Sequence, residues 1–327
     1  MLKMRDGKQG VEVEDLVFSL YKAMLDRDPD PTGLSYYVEL IQHGASLQSI
    51  IQEFLTSPER RYVVSLGQLD ALPHNIIDLN LSSNEKELLW EHVARSWSRL
   101  GREDPWWSVI TNDQFRNANM HRPELIADFY ESGRWDIERA SKYLGRHERA
   151  FPEDGVCIDF GCGVGRGTLW LARRCRKILA VDVSEPHLAL ARNNLSTRGV
   201  RNVEFRLLNN RTDLQVLEGV DCFYSTIALQ HNPPPLIVDI LSAALGGLNS
   251  GGSAFFQIPT FAVEYSWNYK DYISAISFGY GFEMHLLPQP VIFKLAAEGG
   301  CIPLEVQPDE WVGNKQWISN TFLFGKP

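Results

Sequence analysis

Apolar residues recur at helical spacing from near the start of the chain. Leu16, Val17, Leu20, Met24 and Leu25 predict an amphipathic helix over about residues 11–25. Asp28-Pro29-Asp30-Pro31 interrupts it, and Pro31 suits the first turn of a second helix carrying Leu34, Tyr37, Val38 and Ile41 up to Gly44. Ser46 is placed to cap a third, with Leu47, Ile50, Ile51, Phe54 and Leu55 on one face and Ser57-Pro58 at its end. Residues 66–83 have the composition of a linker. Ser82-Ser83-Asn84-Glu85, with Ser82 three residues before Glu85, offers a capping box to a helix reaching Leu100-Gly101, and a further helix is expected over about 134–147.

The pattern changes at residue 156. Short apolar runs at 156–160, 178–181, 203–208, 221–227 and 253–258 alternate with helical segments at about 166–176, 185–197 and 234–248. Strands alternating with helices predict a doubly wound parallel sheet. A helix at about 290–298, then strands near 302–308 and 317–324, predict an antiparallel hairpin at one sheet edge. The expected α/β architecture is therefore a Rossmann-like, seven-stranded sheet over 150–327, preceded by a linker with lid helices over 71–149 and an all-α bundle over 1–70.

The first strand ends in Asp159-Phe160-Gly161-Cys162-Gly163-Val164-Gly165-Arg166-Gly167. Glycines here let the backbone turn tightly and approach a ligand. The dinucleotide spacing G-x-G-x-x-G fails, because Arg166 or Thr168 stands at its last position, and no G-K-[ST] follows to make a phosphate P-loop. Asp182 ends the second strand, 21 positions after Gly161. The acidic-x-G-x-G-x-G loop with that second acid resembles motif I of class I S-adenosylmethionine-dependent methyltransferases. The resemblance covers about residues 150–327. It implies that Asp159 lies near the methionine ammonium, that Gly161, Cys162, Gly163 and Gly165 form the cofactor loop, and that Asp182, followed by Val183, receives the ribose hydroxyls. It also implies a polar adenine contact at Asn209 or Asn210, where the family usually has Gly-Asp, and a contact from Gln230.

The segment LYKAMLDRDPDPTGLSYYVELIQHGASLQSIIQEFLTSPERR resembles the DUF4214 family, a short helical module of bacterial multidomain proteins without established chemistry. It implies an accessory module with a possible protein partner. Asp26-x-Asp28-x-Asp30 imitates the start of a calcium loop. Pro31 and Tyr37 stand where Gly and Glu are needed, so a turn with helix caps is expected instead.

Methyl transfer to an oxygen calls for alignment, exclusion of water and usually a base. Ligands in doubly wound sheets sit beyond the carboxyl ends of the strands, which draws attention to Ser225-Thr-Ile-Ala-Leu-Gln-His231 after the fourth strand. His231 is the first base candidate and His285 the second. Asn232-Pro233-Pro234 is similar to the N-P-P-[YF] element of amino-group methyltransferases, but Pro235 replaces the aromatic residue. Tyr265, Trp267, Tyr269, Tyr272 and Tyr280 follow the fifth strand and suit either a sugar-binding platform or a small helical cap. Trp106, Trp107, Tyr130 and Arg134 could enter the pocket from the N-terminal side. No carboxylate and Asn spacing predicts a metal.

Composition narrows the partners. Lys and Arg total 32 against 41 Asp and Glu, a formal charge of −9, which gives no support on average to a nucleic-acid partner. No apolar run reaches the roughly 18 residues of a membrane span. The first ten residues carry charge and no apolar segment, unlike a secretory signal. Five cysteines without a C-x-x-C pair fit a reducing cytoplasm. The expectation is a cytoplasmic, bacterial methyltransferase acting on a hydroxyl of a sugar, glycan precursor or other small molecule. N- or C-methylation and a non-catalytic docking protein that binds S-adenosylmethionine are the alternatives.

Overall fold

A computed structural model describes residues 13–25, 27–57, 75–276, 283–313 and 316–327. The chain divides into two compact units, Met1–His74 and Asn75–Pro327.

In the first unit, α1 (Val13–Leu25), α2 (Pro31–Gln42) and α3 (Leu47–Thr56) form the bundle expected from the apolar spacing. Val17, Tyr21, Leu25, Ile50 and Phe54 are its buried core. Tyr37 stacks on Phe54 with ring centroids 4.7 Å apart, and Tyr21 meets Phe54 edge-on. The acidic turn serves the helices. Asp30 caps α2 by accepting from the Gly33 N–H at 2.9 Å, and Asp28 pairs with Lys22 at 3.1 Å; Asp26 lies outside the described residues. Ser46 caps α3 through the Ser49 N–H.

The second unit begins with β1 (Ile76–Ile77) and α4 (Ser83–Glu103). The capping box of α4 is complete: Glu85 N–H donates to Ser82 Oγ, and Ser82 N–H donates to Glu85 Oε2 at 2.8 Å. Next comes α5 (Pro123–Arg146), which starts eleven residues before the expected 134. Pro123 occupies its first turn, where a missing N–H costs nothing, and Phe129, Tyr130 and Ile137 continue its buried stripe. The helices between 75 and 149 thus share one compact unit with the sheet.

The sheet follows in chain order: β2 (Val156–Phe160), α6 (Thr168–Leu171), β3 (Lys177–Asp182), α7 (Glu185–Thr197), β4 (Val203–Leu207), β5 (Val220–Ser225), α8 (Pro234–Gly247), β6 (Leu248–Ala262), β7 (Ser266–Trp267), α9 (Tyr269–Ile276), α10 (Gln289–Glu298), β8 (Ile302–Asp309) and β9 (Trp317–Gly325). Seven strands lie in the order β4-β3-β2-β5-β6-β9-β8. The first five are parallel, and β9 pairs antiparallel with both β6 and β8. β1 and β7 form a separate parallel pair.

Two elements differ instructively from expectation. α6 stops at Leu171, because the Asn202 amide takes the Ala172 and Cys175 carbonyls at 2.8 and 2.9 Å. β6 runs four residues past 258 and tolerates Pro259, which has no N–H to give to the ladder, at a register shift against β9 between Pro259 and Phe261.

Chain order reverses between β2 and β5: β3 and β4 extend the sheet one way, β5 and β6 the other. Such a switch point splays the following loops apart and leaves a crevice at the carboxyl ends of those strands. One sheet face is covered by α4, α8 and α10, whose Trp90, Ile240, Leu241 and Leu295 join a large apolar core. The other is covered by α5 and α6 through Ile137, Ala140, Leu144 and Leu171. No helix among the described residues is long and apolar enough to cross a membrane.

Phe256 packs against both Phe322 and Phe324 at centroid distances of 5.3 and 5.9 Å and is fully buried. Phe256→Ala is expected to destabilise this unit by about 3–5 kcal/mol through lost burial and a residual cavity, measured as a lower denaturant midpoint in chemical unfolding followed by fluorescence.

Candidate active site

The crevice is built first by the turn after β2. Gly161 and Gly163 have φ of +73° and +54°, which side chains rarely adopt. A Cβ on Gly161 would lie 2.3 Å from Ala228 Cβ, and one on Gly163 2.7 Å from Val109 Cγ2. The turn is held from below by Asp182 at the end of β3. Its Oδ2 accepts from the Gly163 N–H and its Oδ1 from the Ser184 N–H, both at 2.9 Å. Burial raises the Asp182 pKa; His187 and the backbone N–H groups oppose that rise without cancelling it.

Asp159, at the end of β2, accepts from Thr168 Oγ at 2.6 Å. Burial pushes its pKa up to about 6, against the Thr168 hydrogen bond and the Arg166 charge. The Arg166 guanidinium is tied to Asp136 and to Ser132. One end of the crevice therefore presents two buried carboxyl groups and a neutralised cation, an environment suited to a cationic ligand with hydroxyl groups.

The opposite wall is the turn after β5. Ile227 lines it with φ of +55°, a strained conformation for a β-branched residue. Gln257 of β6 secures it: its Oε1 accepts the Ile227 N–H at 3.0 Å, while its Nε2 donates to Ser319 Oγ at 2.6 Å and to Gln230 Oε1 at 3.2 Å.

His231 follows. Its Nδ1 lies 2.7 Å from the Glu283 carbonyl oxygen. A carbonyl only accepts, so this contact assigns the proton to Nδ1 and the lone pair to Nε2. Desolvation by the surrounding protein lowers the His231 pKa to about 4; nearby His285 adds to this, and the Glu283 carbonyl bond partly opposes it. The ring tilts against Trp97 at a centroid distance of 5.1 Å. Glu283 is itself pinned, for its carboxylate takes His92 Nε2 at 3.0 Å, Tyr272 OH and His285 Nε2 at 3.3 Å. Burial acts to raise the Glu283 pKa, but these donors outweigh it and hold the carboxyl below its usual range.

Of the residues singled out in the sequence, Asp159, Gly161, Cys162, Gly163, Asp182, Val183, Thr226, Ile227, Ala228, His231 and Asn232 line this one crevice. Others do not. Gly165 sits behind the turn, against Leu195 and Ala191. Asn210 caps the turn that follows it through Thr212, and the Asn209 N–H donates to Asp213; the crevice wall in this region is Leu208. Gln230 is buried against Gln257, and its carbonyl takes the His285 N–H. His285 is buried away from the crevice, bonded through Nδ1 to Tyr265 OH at 2.8 Å.

The aromatic residues after β6 belong to the interior: Trp267 is buried and Tyr265, Tyr269 and Tyr272 pack on the main core. Tyr280 lies outside the described residues. Trp106 and Tyr130 are core residues, Trp107 lies under the Arg116 guanidinium, and Arg134 pairs with Glu131 and Glu138. The Asn232 side chain donates to the Ala228 and Leu229 carbonyls, and Pro234 opens α8, so Asn-Pro-Pro here is a turn with a helix start.

Several crevice residues escaped the sequence reading. Val93 and Trp97 come from α4, Ser108 and Val109 from the turn after it, and Tyr224 from the end of β5. His187 joins two of these parts, with Nδ1 2.7 Å from Ser184 Oγ and Nε2 2.8 Å from Ser108 Oγ. The apolar face Trp90, Val93, Trp97 was a legible signal in α4; the meeting of His187 with Ser108, 79 positions away, was not. Among the described residues, no three His, Cys, Asp or Glu side chains gather into a metal-binding group.

The family described as "Methyltransferase domain" matches residues 157–252, and DUF4214, a domain of unknown function, matches residues 4–62. A tRNA/tmRNA (uracil-C(5))-methyltransferase of Wolinella succinogenes is 37% identical over 160 residues, 49% of this chain and 38% of that protein. A ubiquinone biosynthesis O-methyltransferase of Acinetobacter baumannii is 26% identical over 185 residues, 56% of this chain and 67% of that protein. The chain thus spans little more than a third of the first relative's length. Among solved structures, the N-methyltransferase NodS of Bradyrhizobium japonicum with S-adenosyl-L-homocysteine superimposes with a TM-score of 0.46 at 14% identity, covering 72% of this chain and 99% of that one. The chain thus carries a methyltransferase domain over the strands and turns after β2, together with a region matching DUF4214.

Proposed function

We propose that the crevice binds S-adenosylmethionine and transfers its methyl group to a hydroxyl of a small, uncharged acceptor such as a sugar or glycan precursor. The observation that carries this reading is the pairing, in one crevice, of two buried carboxyl groups with a histidine held in its Nδ1–H form. Bound there, S-adenosylmethionine supplies an electrophilic methyl on a sulfonium.

The residues of the chain do the rest. Asp159 meets the ammonium of the methionine portion in its ionised form. Asp182 uses one lone pair on each oxygen for the glycine turn and the Ser184 N–H, which leaves lone pairs for two ribose hydroxyls. Trp97 and Val93 shield the site from water. The acceptor hydroxyl lies against His231, whose Nε2 takes its proton as the oxygen–carbon bond forms. The low pKa keeps the imidazole neutral and able to accept throughout the physiological range, though it limits the driving force for proton transfer. With Arg166 already paired, the crevice has no uncompensated guanidinium for an acidic acceptor, and this favours a neutral one.

The charge on Asp159 sets a pH dependence. The free carboxyl is protonated below about 6, and the bound ammonium favours the ionised form. Affinity for S-adenosylmethionine is therefore expected to be full above that pH and to fall, by up to about tenfold per pH unit, as pH drops below it. Asp159→Asn should abolish this slope and bind weakly at every pH; calorimetry across pH 5–8 reads both. Asp182→Ala should weaken both S-adenosylmethionine and its demethylated product by at least about tenfold, the scale of lost hydrogen bonds to a charged group. No binding by the folded wild-type chain would sink the reading.

His231→Ala is expected to lower kcat by about 10²–10³-fold, within the usual range for a general base, while cofactor affinity changes only a few-fold. A variant with undiminished kcat would exclude His231 as the base; initial rates over a panel of methyl glycosides and small alcohols provide the measurement.

A further inference from the structure

The net charge of the chain conceals a strongly basic edge. Residues 173–206 hold eight basic side chains against three acidic ones, although acids exceed bases by nine over the whole chain. Five of the eight are Arg173, Arg174, Arg176, Arg198 and Arg201, which lie in the turns leading into β3 and β4. The Asn202 amide ties these turns together through the Ala172 and Cys175 carbonyls, and the Ile178 N–H returns a bond to the Asn202 carbonyl. The arginines are thus brought to one end of the sheet edge, beside the amino ends of two parallel strands. The crevice lies at the carboxyl ends, about 20 Å away for strands of this length.

Ion pairs neutralise the neighbouring Lys177, Arg192 and Arg206. None of the five takes part in an ion pair among the described residues. Each guanidinium is instead oriented by neutral groups. Arg173 lies 4.2 Å over the Trp170 ring and Arg198 4.1 Å over Tyr130. Those two aromatics are themselves linked, Trp170 Nε1 donating to the Tyr130 carbonyl at 2.7 Å. Arg174 donates to the Trp170 carbonyl, Arg176 to Asp154 O at 2.7 Å, and Arg201 to the Ser196 and Val200 carbonyls. Arg173, Arg176, Arg198 and Arg201 are exposed.

We infer that this edge docks the phosphate backbone of a nucleic-acid strand, outside the methyl-transfer crevice. Unpaired guanidiniums with fixed planes suit phosphate oxygens, which they contact two at a time. Trp170, half-buried beneath Arg173, adds an aromatic surface of the kind that single strands engage, while the buried Tyr130 only holds Arg198 in place. A lipid surface fits less well, because the large apolar side chains exposed among the described residues include none between 170 and 206. The inference is independent of the methyl acceptor, since it concerns the opposite ends of the strands.

The test is fluorescence anisotropy of a labelled oligouridylate of about 15 nucleotides, titrated with the full chain at several salt concentrations. Binding in the micromolar range at low salt is expected, with log affinity falling against log salt at a slope of about −3, as phosphate contacts from the four exposed arginines require on a single strand. Arg173→Gln/Arg198→Gln/Arg201→Gln should flatten that slope by about 2 and weaken low-salt binding at least about tenfold, with an unchanged melting temperature. Arg201→Gln alone, which disturbs the fold least, should flatten it by about 0.7. Absence of binding at low salt, a slope that these substitutions leave unchanged, or equal competition by polyglutamate or by anionic phosphatidylserine vesicles would each overturn the inference.

Discussion

Two hydrogen bonds from backbone N–H groups to the carboxylate of Asp182 organise the methyltransferase domain around its crevice. They fasten the glycine turn after β2 to the end of β3, so the ligand-facing surface is positioned by the sheet rather than by loop packing alone. Burying a carboxyl group is unfavourable unless such donors surround it. The glycines follow from this constraint. With the turn drawn down onto Asp182, the opposing wall at Ala228 and the turn at Val109 come so close that a Cβ at Gly161 or Gly163 would collide with them.

The far wall is fixed by the same kind of local accounting. Ile227 adopts a backbone conformation that its branched side chain disfavours, and it is held there because Gln257 accepts its N–H inside a fully bonded buried network. One step further on, Glu283 uses its carbonyl to orient His231 and its carboxylate to hold His92, Tyr272 and His285. His285 therefore contributes to the site from behind. It stabilises the segment that aims His231.

Much of this architecture was legible in the chain. The alternation of strands and helices after residue 156 reflects burial on both faces of a parallel sheet, and Asp159 and Asp182 were recognisable because they close strands beside a glycine turn. What escaped notice depended on contacts between distant segments. Asn209 and Asn210 were read as adenine contacts, with no sign in the sequence that Asp213 and Thr212 would engage them. The tyrosines after β6 carried no sign of whether they face a ligand or a core. Helix boundaries failed where a side chain from elsewhere intervened, as Asn202 does at the end of α6. The basic edge was present in the sequence as a local excess of arginine, hidden by an average over the whole chain.

Cys162 gives the crevice a chemical requirement of its own. A thiolate beside a sulfonium would be alkylated, and the protein would methylate itself once and stop. Burial, reinforced by the nearby negative charges of Asp182 and Asp159, raises the Cys162 pKa well above its ordinary value and keeps the group as a thiol, a far poorer nucleophile. The same two carboxylates that make the crevice suited to a cation thereby also keep the neighbouring sulfur protonated.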